Sequence, residues 1–134
     1  MKYLDDSEGL RGARKIPAYQ SAVRFAQAVN EFALKVYQAR QGSPGIDRLH
    51  RKANLIVAKI AGGHFLGYGQ EFLEENICLC REAKEVSGDC EEALSLLLKD
   101  EFETLTVLSL REMARDVIRD IDGWIEELEG QIYW

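Results

Sequence analysis

The sequence predicts an all-α protein, an antiparallel up-down four-helix bundle, and three observations carry that prediction. Apolar residues recur at three- and four-residue steps through almost the whole chain. The two prolines and the clustered glycines are confined to a few punctuating positions. No segment shows the sustained apolar–polar alternation of a strand, and no Asn-Gly or Asp-Gly pair lies between two such segments. At 134 residues, 46% hydrophobic and 30% charged, the chain fits one domain that buries its core without disulfides or metals. Four helices with short connections pack most simply as up-down neighbours.

Residues 1–15 lack an apolar repeat and contain Gly9 and Gly12, so they read as a flexible or partly ordered leader. Pro17 suits the first turn of a helix. From there Ala22, Phe25, Ala26, Val29, Phe32, Ala33, Val36 and Tyr37 form one apolar stripe, ended by Gly42-Ser43-Pro44-Gly45. A second helix carries Ile46, Leu49, Ala53, Ile56, Val57 and Ile60 on one face. Gly62-Gly63 and Gly67 then interrupt it, and glycines at that density mean a break, a close helix approach, or both. The third helix spans residues 70–99, with Phe72, Leu73, Leu79, Ala83, Val86, Cys90, Ala93, Leu94 and Leu97 as its apolar set and Gly88-Asp89 as a candidate kink. After a junction near Asp100, the fourth helix presents Phe102, Leu105, Leu108, Met113, Val117, Ile121, Trp124, Ile125 and Leu128. The bundle thus covers residues 16–130, and residues 131–134 are an apolar tail.

Charge is sorted along the chain. Residues 10–69 hold ten Lys or Arg against two acids, a balance of +8, and residues 70–134 hold six against eighteen, a balance of −12. The formal net charge of −6 would argue against a polyanion partner, yet association follows the local field rather than the total. Either the oppositely charged helices neutralise one another, or the first half presents a basic face.

Several chemistries are disfavoured. Cys78, Cys80 and Cys90 are odd in number, without a CxxC pair or a nearby histidine, so they suggest neither a disulfide framework nor a zinc site. Two residues apart on a helix is roughly 200° around its axis, so Cys78 and Cys80 cannot share a ligand, and buried structural thiols are the expectation. His50 lies among charged residues and His64 in the glycine-rich segment, neither spaced for a nucleophilic relay. No acid of the third helix has a histidine three residues on, which argues against a di-iron bundle. The Gly62 to Gly69 stretch lacks the Lys-Ser/Thr ending of a phosphate loop. The expectation is a non-enzymatic protein with no cofactor. No apolar run is long enough to cross a bilayer and the first residues are too charged for a secretory signal, so the expected location is cytoplasmic.

The segments "FALKVYQAR", "LHRKANLIVAKIAGGHFLGYGQEFLEENI", "REAKEVSGDCEEAL" and "REMARDVIRDIDGWIEELEG" follow one another in an order that resembles a known family. The telling pieces are Ile60-Ala61-Gly62-Gly63, Phe72-Leu73, Glu85-Val86 and Gly123-Trp124-Ile125. Over residues 16–130 the chain resembles the bacterial four-helix-bundle 23S rRNA intervening-sequence proteins, which include the accessory variability determinant proteins of diversity-generating retroelements. The resemblance implies a homo-oligomer, often a pentamer. In the retroelement branch it also implies an accessory protein that binds a reverse transcriptase and its RNA through a basic surface. Members of that branch are basic overall with an arginine-rich third helix, whereas this chain is acidic and its third helix has only Arg81 and Lys84 before Lys99.

The basic half supplies a candidate surface. Arg48, Lys52 and Lys59 lie along one stripe of the second helix with Arg51 beside it, off the face set by Leu49, Ala53, Ile56 and Ile60. Arg24 and Lys35 share a side of the first helix, and Arg11, Arg14 and Lys15 sit in the leader, as a mobile arm. These nine are the candidate nucleic-acid contacts, giving affinity to phosphates without sequence readout. The alternative is a protein-interaction scaffold without nucleic acid, in which the two charged halves meet in a head-to-tail assembly. Tyr68, Trp124, Ile132, Tyr133 and Trp134 are the candidate interface residues, because large apolar groups at helix ends and at a terminus leave area for a partner. The tail folding back on its own bundle is the other reading of its last residues.

Overall fold

The computed structural model describes residues 10–39, 44–100 and 102–132, the side chains of Leu10, Arg11 and Ile132 excepted. Five helices follow in order: α1 (Leu10–Ala13), α2 (Pro17–Ala39), α3 (Pro44–Leu66), α4 (Gln70–Leu97) and α5 (Thr104–Ile132). Each of the four long helices is one of the expected apolar stripes, and no strand occurs among the described residues. They close a ring: α3 packs on α4, α4 on α5, and α2 on both α3 and α5. This is the all-α four-helix bundle.

The core follows the helical phase. Phe25, Val29, Ile46, Leu49, Ile56, Ile60, Leu73, Leu94, Val107, Ile121 and Leu128 are all buried to within 1% exposure. Burying one such side chain contributes about 1.5–3 kcal/mol, so the stripes and not helix propensity hold the bundle. On α5 the observed phase differs from the sequence expectation near its start. Val107, Leu110 and Ala114 face inward while Leu105 is 76% exposed, because the helix begins only at Thr104 and its core face aligns with the strong Val117–Ile121–Leu128 run. Phe102 precedes α5 and packs edge-on against Phe32 of α2, ring centroids 5.8 Å apart.

The two readings of the glycine-rich segment apply at different glycines. The Gly62-Gly63 pair does not break α3, which runs unbroken to Leu66; the pair marks a close approach instead. A Cβ on Gly63 would collide with the side-chain oxygen of Asn76 on α4 and lie 3.3 Å from its backbone oxygen. Gly67, with φ of 96°, makes the turn into α4. Gly88, the candidate kink, lies inside α4, which is continuous across it. Within the leader, α1 forms a turn, and Ala13 and Ile16 are fully buried.

Asn76 itself has no exposure; its amide donates to the Gly67 carbonyl at 3.2 Å and its Oδ1 accepts from Cys80 Sγ at 3.7 Å. A buried amide is tolerated when its partners are this close. Cys80 and Cys90 are buried, whereas Cys78 is exposed, which corrects the expectation of three interior thiols. Burial pushes both interior thiols up from their ordinary 9.0 to about 12.

Adjacent glycines should therefore respond to alanine with opposite signs. Gly63→Ala overpacks a site whose neighbour is locked and should cost about 1–3 kcal/mol in denaturant melts. Gly62→Ala meets only Leu79 at an ordinary 3.6 Å and should gain up to about 1 kcal/mol from helix propensity. A disulfide-exchange reagent should titrate one thiol in the native protein and three after denaturation. Because unfolded thiols ionise near 9 and the two buried ones only near 12, the unfolded state releases protons first. Stability should then fall as pH rises through that window, by up to about 1.4 kcal/mol per thiol per pH unit.

Candidate nucleic-acid interface

The helix-two stripe divides once its neighbours are in place. Lys52 and Lys59 lie on the flank of α3 that meets α4, where Lys52 Nζ is 2.8 Å from Asp89 and Lys59 Nζ is 3.2 Å from Glu82. Both are struts of the α3–α4 contact, not part of one free basic stripe. Arg48 and Arg51, on the adjoining flank, are exposed and have no ion pair among the described residues. The same holds for Arg24 and Lys35 on α2 and for Arg14 before it. Lys15 is exposed and engaged in a contact of its own. The side chain of Arg11 lies outside the described residues.

Four of the six cations of the acidic half are paired with carboxylates. Lys84 pairs with Asp122 at 2.8 Å, Arg115 with Glu91 and Glu112 at 2.9 Å, Arg119 with Asp116 at 3.2 Å, and Arg81 with Glu129 at 3.7 Å. Hydrogen bonding to Glu91, before any charge effect, raises the Arg115 guanidinium further above its ordinary value. Arg111 donates to Ser95 at 3.3 Å. Such surface pairs contribute little to stability, roughly 0.2–1 kcal/mol each, but they decide where charge is left over. The surplus negative charge stays on α4 and α5; the unneutralised positive charge lies on α2, α3 and the segment before them, with Lys99 after α4 as the exposed exception among the described residues.

Two grooves gather four of the five free cations, and Lys35 lies apart, beside Glu103 and Phe102. One, of ≈ 520 Å³, opens between the start of α3 and the end of α4. Arg48, Arg51 and Lys52 line one wall and Asp89, Glu92 and Asp100 the other, with Leu96 between them, 57% exposed. Its opposed charges suit a mixed ligand better than a polyanion. The second groove, of ≈ 450 Å³, is lined by Arg14, Tyr19, Gln20, Val23, Arg24 and Gln27, with no carboxylate among them. Arg14 is carried there by its own backbone: Gln20 Nε2 donates to the Arg14 carbonyl at 2.7 Å, and the neighbouring Ile16 is buried. Sequence reasoning placed Arg14 in a mobile arm and Tyr19 among the helix-end aromatics rather than beside these cations, and missed Gln20 and Gln27. The 20, 24, 27 spacing along one helical stripe was the available signal.

The candidate interface residues separate likewise. Trp124 is buried, 3% exposed, and packs edge-on against Tyr68 at 6.1 Å, so it belongs to the core rather than to an outer surface. Tyr68 is half-buried, and its hydroxyl lies 2.7 Å from Nδ1 of buried His64. Ile132 falls in the last turn of α5 with its side chain outside the described residues, as are Tyr133 and Trp134 altogether. Exposed apolar groups near that turn are Phe65 and Phe72, 59% and 41% exposed, one on each side of Gly67, while Leu34, Leu55, Leu96 and Leu105 are exposed singly elsewhere. Phe65 falls out of phase with the buried residues of α3, which is how the sequence would have marked it; Phe72, expected in the apolar set of the third helix, is exposed in the first turn of α4.

Among the described residues no helix is long and apolar enough to cross a membrane. No protein-family model, no curated protein and no solved structure matches the chain.

Proposed function

We propose that this chain is a non-enzymatic accessory protein of the cytoplasm that assembles with itself and holds RNA against its α2–α3 side, beside a reverse transcriptase. One observation carries the reading. Arg14, Arg24, Lys35, Arg48 and Arg51 are exposed and have no carboxylate partner among the described residues, whereas Arg81, Lys84, Arg115 and Arg119 on the acidic helices do. Positive charge left over in this way attracts a phosphate backbone despite the negative total. The polymerase partner and the oligomer rest on the resemblance to the retroelement accessory proteins. The exposed Phe65 and Phe72 favour a second reading, a scaffold that binds protein alone, with apolar area at the α3–α4 turn as its contact.

The two readings part on salt-dependent RNA binding, measured by fluorescence anisotropy with a labelled structured RNA between about 50 and 200 mM salt. The accessory reading expects measurable binding that weakens steeply with salt. Reversing Arg48 and Arg51 together to Glu should lower the log–log salt slope by about 1.4–1.8, two phosphate contacts' worth, without changing the melting temperature. Unaltered affinity and slope in that variant would remove the α3 residues from the interface. No binding by the unaltered protein at the lowest salt would leave the scaffold reading.

A further inference from the structure

We infer that the groove between the segment before α2 and the α2 surface is a single-strand subsite, in which an unpaired RNA base stacks on Tyr19 while Arg14 and Arg24 hold the flanking phosphates. The inference rests on the RNA reading above and adds what that reading lacks, a preference for unpaired nucleotides.

The groove combines the three things a single strand needs. Its cations, Arg14 and Arg24, have no ion pair among the described residues, so their charge is available to phosphate. Its aromatic group, Tyr19, is half-buried and packs against the bundle core, which holds the ring in place before any ligand arrives. Its remaining polar lining is Gln20 and Gln27, whose amides donate and accept, and no carboxylate lines it to repel a polyanion. A stacked base tolerates any sequence because every base has a π-face, and guanidinium groups reinforce such sites by stacking as well as by charge. The ≈ 520 Å³ groove on α3 offers the contrast: it has three cations but faces them with Asp89, Glu92 and Asp100, and no aromatic side chain lines it.

The geometry is built rather than incidental. Buried Ala13 and Ile16 anchor the segment before α2 on both sides of Arg14. Backbone bonds from Lys15 to Gly12 at 3.1 Å and from Ile16 to Ala13 at 3.0 Å shape its turn. The Gln20 amide then clamps the Arg14 carbonyl at 2.7 Å over the first turns of α2. A duplex cannot use this arrangement fully, because its bases are already stacked and its rings cannot reach a side chain in a groove.

The test compares unstructured single-stranded RNA with duplex RNA of the same length in anisotropy at fixed salt. Tyr19→Leu keeps apolar bulk against the core and removes the stacking face; Tyr19→Phe keeps both. The expected result is single-strand binding weakened about tenfold by Tyr19→Leu and preserved by Tyr19→Phe, with duplex binding unchanged by either. Irradiating the unaltered protein with 5-iodouridine-labelled single strand should also cross-link the peptide that contains Tyr19. Equal single-strand affinity in Tyr19→Leu and the unaltered protein, with the cross-link elsewhere, would overturn this subsite and leave the RNA reading standing. Failure of the unaltered protein to bind either RNA would overturn both.

Discussion

The tightest constraint in the molecule is the contact between Gly63 and Asn76. There α3 comes so close to α4 that a single added carbon has no room, and the asparagine it meets is fully buried. That side chain bonds back to the Gly67 carbonyl and onward to Cys80, so it joins the end of one helix, the turn, and the start of the next. Antiparallel helices can slide by whole turns when only aliphatic ridges interlock; a buried amide with fixed partners allows one register. The rest of the α3–α4 contact follows from it in order: Gly62 against Leu79, Lys59 with Glu82, Lys52 with Asp89, and Gly45 against Leu97. The other seams are stitched in the same antiparallel sense, α2 to α3 by Asn30–Asn54 and Tyr37–Asp47, and α4 to α5 by Lys84–Asp122 and Glu91–Arg115.

Register is what connects this contact to charge. With α3 fixed as it is, Lys52 and Lys59 fall opposite acids of α4 and are used up there, while Arg48 and Arg51 reach the rim of a groove without a partner of their own. A slide of one turn would bring a different set of cations to the acidic helix. The acidic pair α4 and α5 meanwhile neutralises most of its own cations across one seam and within α5. The bundle is electrically two-sided even though its halves touch, and that asymmetry is the basis for reading it as a partner for a polyanion.

The fold was legible from the apolar phase, and best where the stripe was long. On α2, Ala22, Phe25, Ala26, Val29, Phe32, Ala33 and Val36 were all expected inside and all are buried. Tyr37, at the end of the same stripe, is 40% exposed because its hydroxyl reaches out to Asp47. The glycine pair was ambiguous for a physical reason: the same residues serve a break and a close approach, and only the position of Asn76 distinguishes them. The polar core residues Asn76 and Ser87 escaped notice because their partners, the Gly67 and Ala83 carbonyls, are backbone atoms with no signature in sequence. The candidate interface was legible as a list and not as a surface. Periodicity shows that Lys52 and Lys59 lie off the apolar face; it is blind to the acid waiting on the neighbouring helix. Trp124 looked like an outward aromatic near a helix end, until Tyr68 arrived over it from the α3–α4 turn.

The most direct test of the two-sided bundle is hydrogen–deuterium exchange of the full chain with and without saturating structured RNA. Slower exchange confined to residues 14–27 and 44–52, with α4 and α5 unchanged, is what the charge distribution predicts. Protection centred on α4 or α5, or none anywhere, would contradict it.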